Sequence, residues 1–106
     1  MMGIRAEALQ PGRTYFALFH ADGRRDQPIV ETYVFIGTDE REDEGIAQTE
    51  YVFQLARSYY QHGDWNRMTM DERDEYVDAP IVTFDVKSLR AIHDAAALTE
   101  ELRGIG

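Results

Sequence analysis

The chain has 106 residues, no cysteine and a net charge of −9. This length is that of one ordinary domain, residues 1–106, and with 43% hydrophobic and 11% aromatic residues it is too rich in core-forming side chains for a disordered protein. The lack of cysteine excludes disulfides and thiolate ligands, and no segment reads as a signal peptide or reaches the roughly 20 apolar residues of a membrane span. We therefore predict a single folded domain in the cytoplasm, without membrane contact.

The first part of the chain predicts a β-hairpin. Residues 13–20 are rich in aromatic and β-branched side chains, as strands are. Residues 21–23 (Ala-Asp-Gly) are a turn signal, residues 29–36 form a second predicted strand, and Gly37 is expected to end it. The second strand is apolar on both sides toward its end, which predicts a central position in a sheet. Tyr33 and Phe35 share one side, Val34 and Ile36 the other.

Residues 50–60 match two templates. Val52, Leu55, Ala56 and Tyr59 have helical spacing, whereas Tyr51, Phe53 and Leu55 alternate with polar or smaller residues as in a strand. Strand-forming residues dominate the start of the segment, which favours a third strand that turns into a short helix near Ser58. The acidic residues before it are then a hairpin loop. In the other interpretation they are the first turn of a helix.

Two short elements and a longer helix are predicted after Gly63. Residues 69–72 (Thr-Met-Asp-Glu) are a capping-box pattern, which predicts a helix to about Val77, and Pro80 ends it. Residues 81–86 are a fourth predicted strand. Residues 88–103 are a predicted helix stopped by Gly104 and packed on the sheet by one face. That face consists of Ala91, Ile92, Ala95, Leu98, Thr99 and Leu102.

The predicted fold is therefore α+β. We expect a small antiparallel sheet of three to four strands, open or curled into a barrel, with the C-terminal helix packed on it. An edge strand left unpaired in such a sheet would allow a homodimer.

The charge imbalance lies in two segments. Residues 38–50 hold six acids against Arg41, and residues 64–78 hold six acids against Arg67 and Arg73, whereas the rest of the chain is balanced. Clustered carboxylates create a local potential that attracts a basic partner, although such a run is more often a solvated loop. The acids of the first segment are nearly contiguous, unlike the alternating ligands of a calcium loop.

The sequence contains no recognisable catalytic or metal-binding motif. The three histidines are scattered, the glycines form no phosphate-binding pattern, and no nucleophile lies in a known motif. Direct binding to nucleic acid is disfavoured, because Arg24-Arg25 is the only adjacent basic pair. We therefore expect no cofactor, no metal and no identifiable catalytic residue.

The leading hypothesis is a non-enzymatic, acidic protein-binding module. Its partner would have a basic surface, and it would act as an inhibitor or antagonist, including as a mimic of nucleic-acid charge. Trp65 is an exposed anchor in this hypothesis, although a lone tryptophan is more often part of the core. The alternative is a ligand-binding or catalytic domain with a pocket between sheet and C-terminal helix, lined by Tyr33, Asp85 and His93. The candidate partner-binding residues are Asp39, Glu40, Glu42, Asp43, Glu44, Trp65, Asp71 and Glu72.

Overall fold

A computed structural model describes residues 4–20 and 28–103. The described residues form one open antiparallel sheet of five strands in the order β4-β3-β2-β1-β5, rather than the predicted three to four strands or a barrel. The strands are β1 (Thr14–His20), β2 (Pro28–Asp43), β3 (Ile46–Leu55), β4 (Ile81–Phe84) and β5 (Ile92–His93). The helices are α1 (Ala56–His62), α2 (Met70–Asp74) and α3 (Ala95–Arg103), and 3-10 turns span Ala6–Ala8, Trp65–Arg67 and Ser88–Ala91.

The central strand β2 is buried on both sides, as its apolar pattern predicts. One side, the aromatic face, is covered by Leu9 from the N-terminal segment and by Leu89 from a 3-10 turn. The other side, the helical face, packs against α1 and Trp65. Aromatic-face residues include Tyr15, Tyr33, Phe35, Phe53 and Phe84; helical-face residues include Val34, Ile36, Val52, Gln54 and Ile81.

The prediction that Gly37 ends the second strand is wrong, because Gly37 lies in a β-bulge and the strand continues. The pairing shifts between Phe35 and Gly37, which leaves Ile36 as the extra residue against β3. Gly37 has φ of 144°, which side-chain-bearing residues rarely adopt, so glycine allows the strand to continue through the bulge. Strand β2 then runs on to Asp43.

The acidic run is therefore strand, and the prediction of a hairpin loop is wrong. Asp39 pairs with Glu50 and Asp43 with Ile46, and only Glu44 and Gly45 lie between β2 and β3. Both turn residues have positive φ, 50° and 81°, as in the tight two-residue turns that suit the twist of a hairpin. The alternative, a helix beginning in this run, is excluded as well.

Residues 50–62 follow the favoured interpretation, a strand that turns into a helix. Helix α1 begins at Ala56, two residues before the predicted position near Ser58. Gly63 ends α1 with φ of 90°, and its N–H donates to the carbonyl of Tyr59. The capping box at Thr69 is also confirmed, although α2 ends at Asp74 rather than near Val77.

The predicted helix over residues 88–103 is wrong in its first half. The Asp85 carboxylate accepts a hydrogen bond from the Ser88 N–H at 2.7 Å, beside the 3-10 turn that begins there. Ile92 is then fully buried opposite Ala17, because pairing with β1 outweighs its helical spacing. Asp94 caps the shorter α3 by accepting from the Ala97 N–H at 2.8 Å.

Helix α3 does not cover the sheet as a packed layer. It contacts β1 and β5 at one edge, and none of its residues is buried. Strand β4 ends at Phe84, two residues before the predicted end. The predicted turn at residues 21–23 and the stop at Gly104 lie outside the described residues.

Candidate protein-interaction site

The first acidic segment, residues 38–50, forms a two-stranded ribbon that we call the arm. The pairing of β1 with β2 ends at Val34, and the pairing of β4 with β3 ends at Tyr51. Strands β2 and β3 continue beyond both neighbours, paired only with each other among the described residues. Among the described residues, neither outer edge of the arm pairs with a further strand.

The acids of the arm alternate between its two faces because successive strand residues point in opposite directions. Asp39 and Asp43 lie on the helical face, Glu40 and Glu42 on the aromatic face, and Glu44 in the turn. All five side chains are exposed. The structure thus brings together five of the eight predicted partner-binding residues in one projecting element.

The arm neutralises little of its own charge. Arg41 Nε lies 3.5 Å from Glu50 Oε2, and the Thr49 hydroxyl donates to the Glu40 carboxylate at 2.8 and 3.0 Å. Within residues 4–20 and 28–103, no ion pair involves Asp39, Glu42, Asp43 or Glu44. With six acids against Arg41 alone, the arm keeps an excess of negative charge, and clustered charges of one sign create a local potential.

A cleft of about 330 Å³ lies at the base of the arm on the helical face. Asp39, Arg41 and Glu50 line one part of it, and Trp65 and Asn66 line another. Asn66 Nδ2 donates to the Ile36 carbonyl at 3.0 Å, which ties the 3-10 turn to the β-bulge. The bulge thus places Trp65 beside the acids of the arm.

Trp65 is a half-buried wall of this cleft, fixed by its surroundings. The backbone N–H of Trp65 donates to Gln54 Oε1 at 2.8 Å. The backbone carbonyl of Trp65 accepts from Arg73 Nε and Nη2 at 3.1 and 2.8 Å. The Arg73 guanidinium also lies 4.9 Å from the centre of the indole ring, and Tyr76 packs edge-on at 5.4 Å. Trp65 is therefore both a packing residue and a contributor to the cleft surface.

Asp71 and Glu72 are not part of the arm cleft. Both lie in the first turn of α2, where carboxylates are favoured by the helix dipole. Glu72 accepts from the Thr69 N–H at 3.0 Å, and hydrogen bonding to Thr69 lowers the pKa of this carboxyl. Its side chain lines a separate groove with His62 and Arg67. Some carboxylates of the second acidic segment therefore stabilise the start of α2.

The three residues of the alternative ligand pocket lie apart. Tyr33 belongs to the aromatic face, whereas His93 pairs with Phe16 and points to the opposite side of the sheet. Asp85 follows β4, at the other edge of the sheet from β5. Burial, and then the charge of Glu31, raises the pKa of Tyr33, which keeps its hydroxyl protonated in the core. The structure thus places Tyr33, Asp85 and His93 in three different parts of the sheet.

The pattern of the sequence did not identify Arg41, Glu50 and Asn66 as cleft residues. Glu50 and Arg41 belong to the first acidic segment, so the count of charges identified the segment but not the cleft that these two residues line. Asn66 carries no local signal, because its role depends on the carbonyl that the bulge exposes thirty residues earlier.

The described part of the chain, residues 4–20 and 28–103, contains no group of three or more side chains able to hold a metal ion. None of its helices has the length and apolar character needed to cross a bilayer. No family model, curated protein or solved structure matches the chain.

His93 gives a prediction of pH dependence. The residue is 4% exposed, and its ring Nδ1 has no hydrogen-bond partner among residues 4–20 and 28–103. Burial lowers the pKa of His93 below its ordinary value of 6.5, against the opposing influence of Glu101 and Asp94. The unfolded chain therefore binds this proton more readily, so the free energy of unfolding should decrease as the pH falls below 6.5.

Urea unfolding of wild type, His93→Gln and His62→Gln between about pH 7 and about pH 5 measures this effect. We expect His93→Gln to have a shallower decrease than the wild type. His62→Gln, at an exposed histidine, is the control for replacing an imidazole with an amide. Equal slopes for wild type and His93→Gln would contradict the prediction.

Proposed function

We propose that the protein is a non-enzymatic binding module whose arm engages a basic surface on a protein partner. The observation that supports this most directly is the exposure of Asp39, Glu40, Glu42, Asp43 and Glu44 on a regular ribbon that extends past the neighbouring strands. Their positions relative to each other are set by strand pairing, so a complementary surface meets a preorganised array of charge.

Fold stability gives no reason for this arrangement. Asp and Glu are poor strand formers, and nearby like charges repel one another. Protection of exposed strand edges against aggregation is another use of charge. Edge protection does not explain the whole arm, because residues 46–49 on its β3 edge carry no charge and leave that edge unprotected. A partner of opposite charge accounts for both the concentration of acids and their exposure.

An inhibitor or antagonist of a basic protein is the function that we infer from this surface. A partner that itself binds nucleic acid would present such a basic surface, and the arm would compete for it. The cleft beside Trp65 adds an aromatic wall next to Asp39 and Glu50, and tryptophan is one of the residue types enriched in the hot spots of interfaces.

The test is a fivefold neutralisation of the arm: Asp39→Asn, Glu40→Gln, Glu42→Gln, Asp43→Asn and Glu44→Gln. Wild-type protein is used to capture and identify a partner, and the affinity of each variant for that purified partner is then measured at several salt concentrations. We expect binding at least about tenfold weaker than wild type, with a flatter dependence on salt.

A matched variant controls for net charge. It carries Asp71→Asn, Asp74→Asn, Glu75→Gln and Asp78→Asn, which neutralise four acids of the second segment against the five of the arm variant, and none of the four lines the arm cleft. This variant should keep most of the wild-type affinity. Wild-type binding by the arm variant, or equal losses in both, would overturn the proposal that the arm is the binding surface.

A further inference from the structure

A groove runs beside the arm where strand β4 ends. Phe84 is the last residue of β4 and pairs with Tyr51, after which the chain leaves the sheet. The groove has a volume of about 510 Å³, and its lining includes Thr49 and Tyr51 from β3 and Val86 and Lys87 from the segment after β4. It therefore lies along the line that a longer fourth strand would follow.

The backbone of β3 presents unused hydrogen-bonding groups to this groove. The Leu55 N–H donates to the Pro80 carbonyl at 2.8 Å, so Leu55 directs its N–H toward the β4 side. Alternate residues of a strand direct these groups to the same side, so Thr49 and Ala47 direct theirs to the groove. No described strand pairs with β3 there.

The two edges of the arm differ in charge. The β2 edge carries Asp39, Glu40, Glu42 and Asp43, which discourage strand addition in the way that charged edges do. Residues 46–49 of β3 (Ile-Ala-Gln-Thr) are uncharged, and Ile46 is 65% exposed. The β3 edge is thus the edge of the arm open to another strand.

We propose that the β3 edge binds an extended, basic segment of the partner as an added strand. This inference rests on the proposed function and names the form of the partner. Adding a strand to a sheet edge gives affinity through main-chain hydrogen bonds and specificity through alternate side chains. Ala47 and Thr49 would supply the main-chain groups, and the groove would hold the segment.

The register of the arm explains why the segment is basic. Glu42 lies opposite Ala47 and Glu40 opposite Thr49, on the aromatic face. Neighbouring strands are about 4.8 Å apart, so an added strand lies about 10 Å from β2. Lysine and arginine side chains can reach across the short side chains of Ala47 and Thr49 to the two glutamates. A second copy of this chain would instead bring two strongly acidic arms together, which opposes self-pairing.

The probe is a capped heptapeptide of alternating lysine and valine. Its binding to wild-type protein is measured by calorimetry, and hydrogen exchange is followed at single amides by NMR. We expect the peptide to slow exchange at the Ala47 and Thr49 amides more than at Gln48, whose N–H faces β2 in the same alternation. An unchanged exchange pattern with bound peptide would overturn strand addition.

Ala47→Pro removes one of the two N–H donors at this edge. The hydrogen bonds between β2 and β3 remain, because the Ala47 N–H points away from β2. Ala47→Ser is the matched control, because it keeps the N–H and the small size. We expect at least about tenfold weaker peptide binding by Ala47→Pro and near wild-type binding by Ala47→Ser. Retained exchange protection of Gln48 in the free Ala47→Pro variant verifies that its arm remains paired.

The two proposals fail in different ways. If peptide binding is lost on neutralising the arm but unchanged by Ala47→Pro, strand addition is wrong and the acidic binding surface stands. If the arm-neutralised variant binds the peptide as the wild type does, charge recognition by the arm is wrong. If the wild type does not bind the peptide, strand addition of a basic segment is wrong, whereas the captured-partner experiment still tests the arm.

Discussion

Replacing Phe53 with alanine is expected to lower the free energy of unfolding by about 4 kcal/mol, the usual cost of removing a fully buried phenylalanine side chain. Phe53 is 0% exposed at the centre of the aromatic face. Its ring centroid lies 5.3 Å from that of Phe35 and 5.4 Å from that of Phe84, with Tyr15 and Tyr33 just beyond 6 Å. The alanine variant would leave a cavity among four rings that three different strands hold in place, so the rings cannot move together to close it.

Urea unfolding, followed by circular dichroism and by the fluorescence of the single tryptophan, measures this loss. Phe19→Ala is the matched control, since Phe19 lies in β1 on the same sheet face but is 40% exposed. We expect it to cost only about 1 kcal/mol. Similar losses for the two variants would mean that the aromatic face is not packed in solution as the structure describes.

Elements with strong local signals were predicted well from the sequence. Strand β1 and the start of β2 have dense aromatic and β-branched patterns, and the box at Thr69 is a local hydrogen-bond motif that needs no distant partner. The change from strand to helix after Leu55 was also predicted, within two residues. In these places local preference and tertiary packing agree.

The arm could not be predicted in this way because its strand structure depends on pairing. Asp39, Glu40, Glu42 and Asp43 have low strand propensity, and Gly37 is locally indistinguishable from a strand terminator. Only the pairing with β3 and the tight turn at Glu44 show that the chain continues as a ribbon. As a result, the site residues were found by charge, but their arrangement on two faces was not.

The C-terminal prediction failed for a related reason. Ile92 and Leu98 fit one helical face, so periodicity alone favours a single helix. Pairing of Ile92 and His93 with β1 instead places Ile92 in the core, and Asp94 starts a shorter helix. Tertiary burial overrides the local pattern here, and the shorter α3 contacts β1 and β5 at one edge of the sheet.

Gln54 shows most clearly what sequence cannot reveal about the base of the arm. It is fully buried on the helical face, where a strand residue of this kind is usually apolar. Its Nε2 donates to Ser58 Oγ at 3.1 Å and to the Gly63 carbonyl at 3.0 Å, and its Oε1 accepts from the Trp65 N–H. One side chain thus joins β3, the two ends of α1 and the turn that carries Trp65.

Gln54→Leu is expected to lower the free energy of unfolding by about 3 kcal/mol. Leucine keeps the apolar contacts but removes the buried hydrogen bond to Ser58 Oγ and the partly buried hydrogen bonds to the Gly63 carbonyl and the Trp65 backbone N–H. A lost hydrogen bond costs about 1 kcal/mol, and a polar group left buried without a partner costs about 1–3 kcal/mol. Because Trp65 loses the hydrogen bond to its own backbone, its fluorescence in the folded variant should also change.

Gln48→Leu provides the control for this change, because Gln48 belongs to the same strand and points to the same side of it but is exposed in the arm. We expect it to alter stability by less than about 0.5 kcal/mol and to leave the fluorescence of Trp65 as in the wild type. Equal changes in stability and fluorescence at the two positions would show that Gln54 does not fix the 3-10 turn that carries Trp65. A large effect at Gln54 alone would establish that the wall of the arm cleft is positioned by a buried polar network, so that its geometry persists before any partner binds.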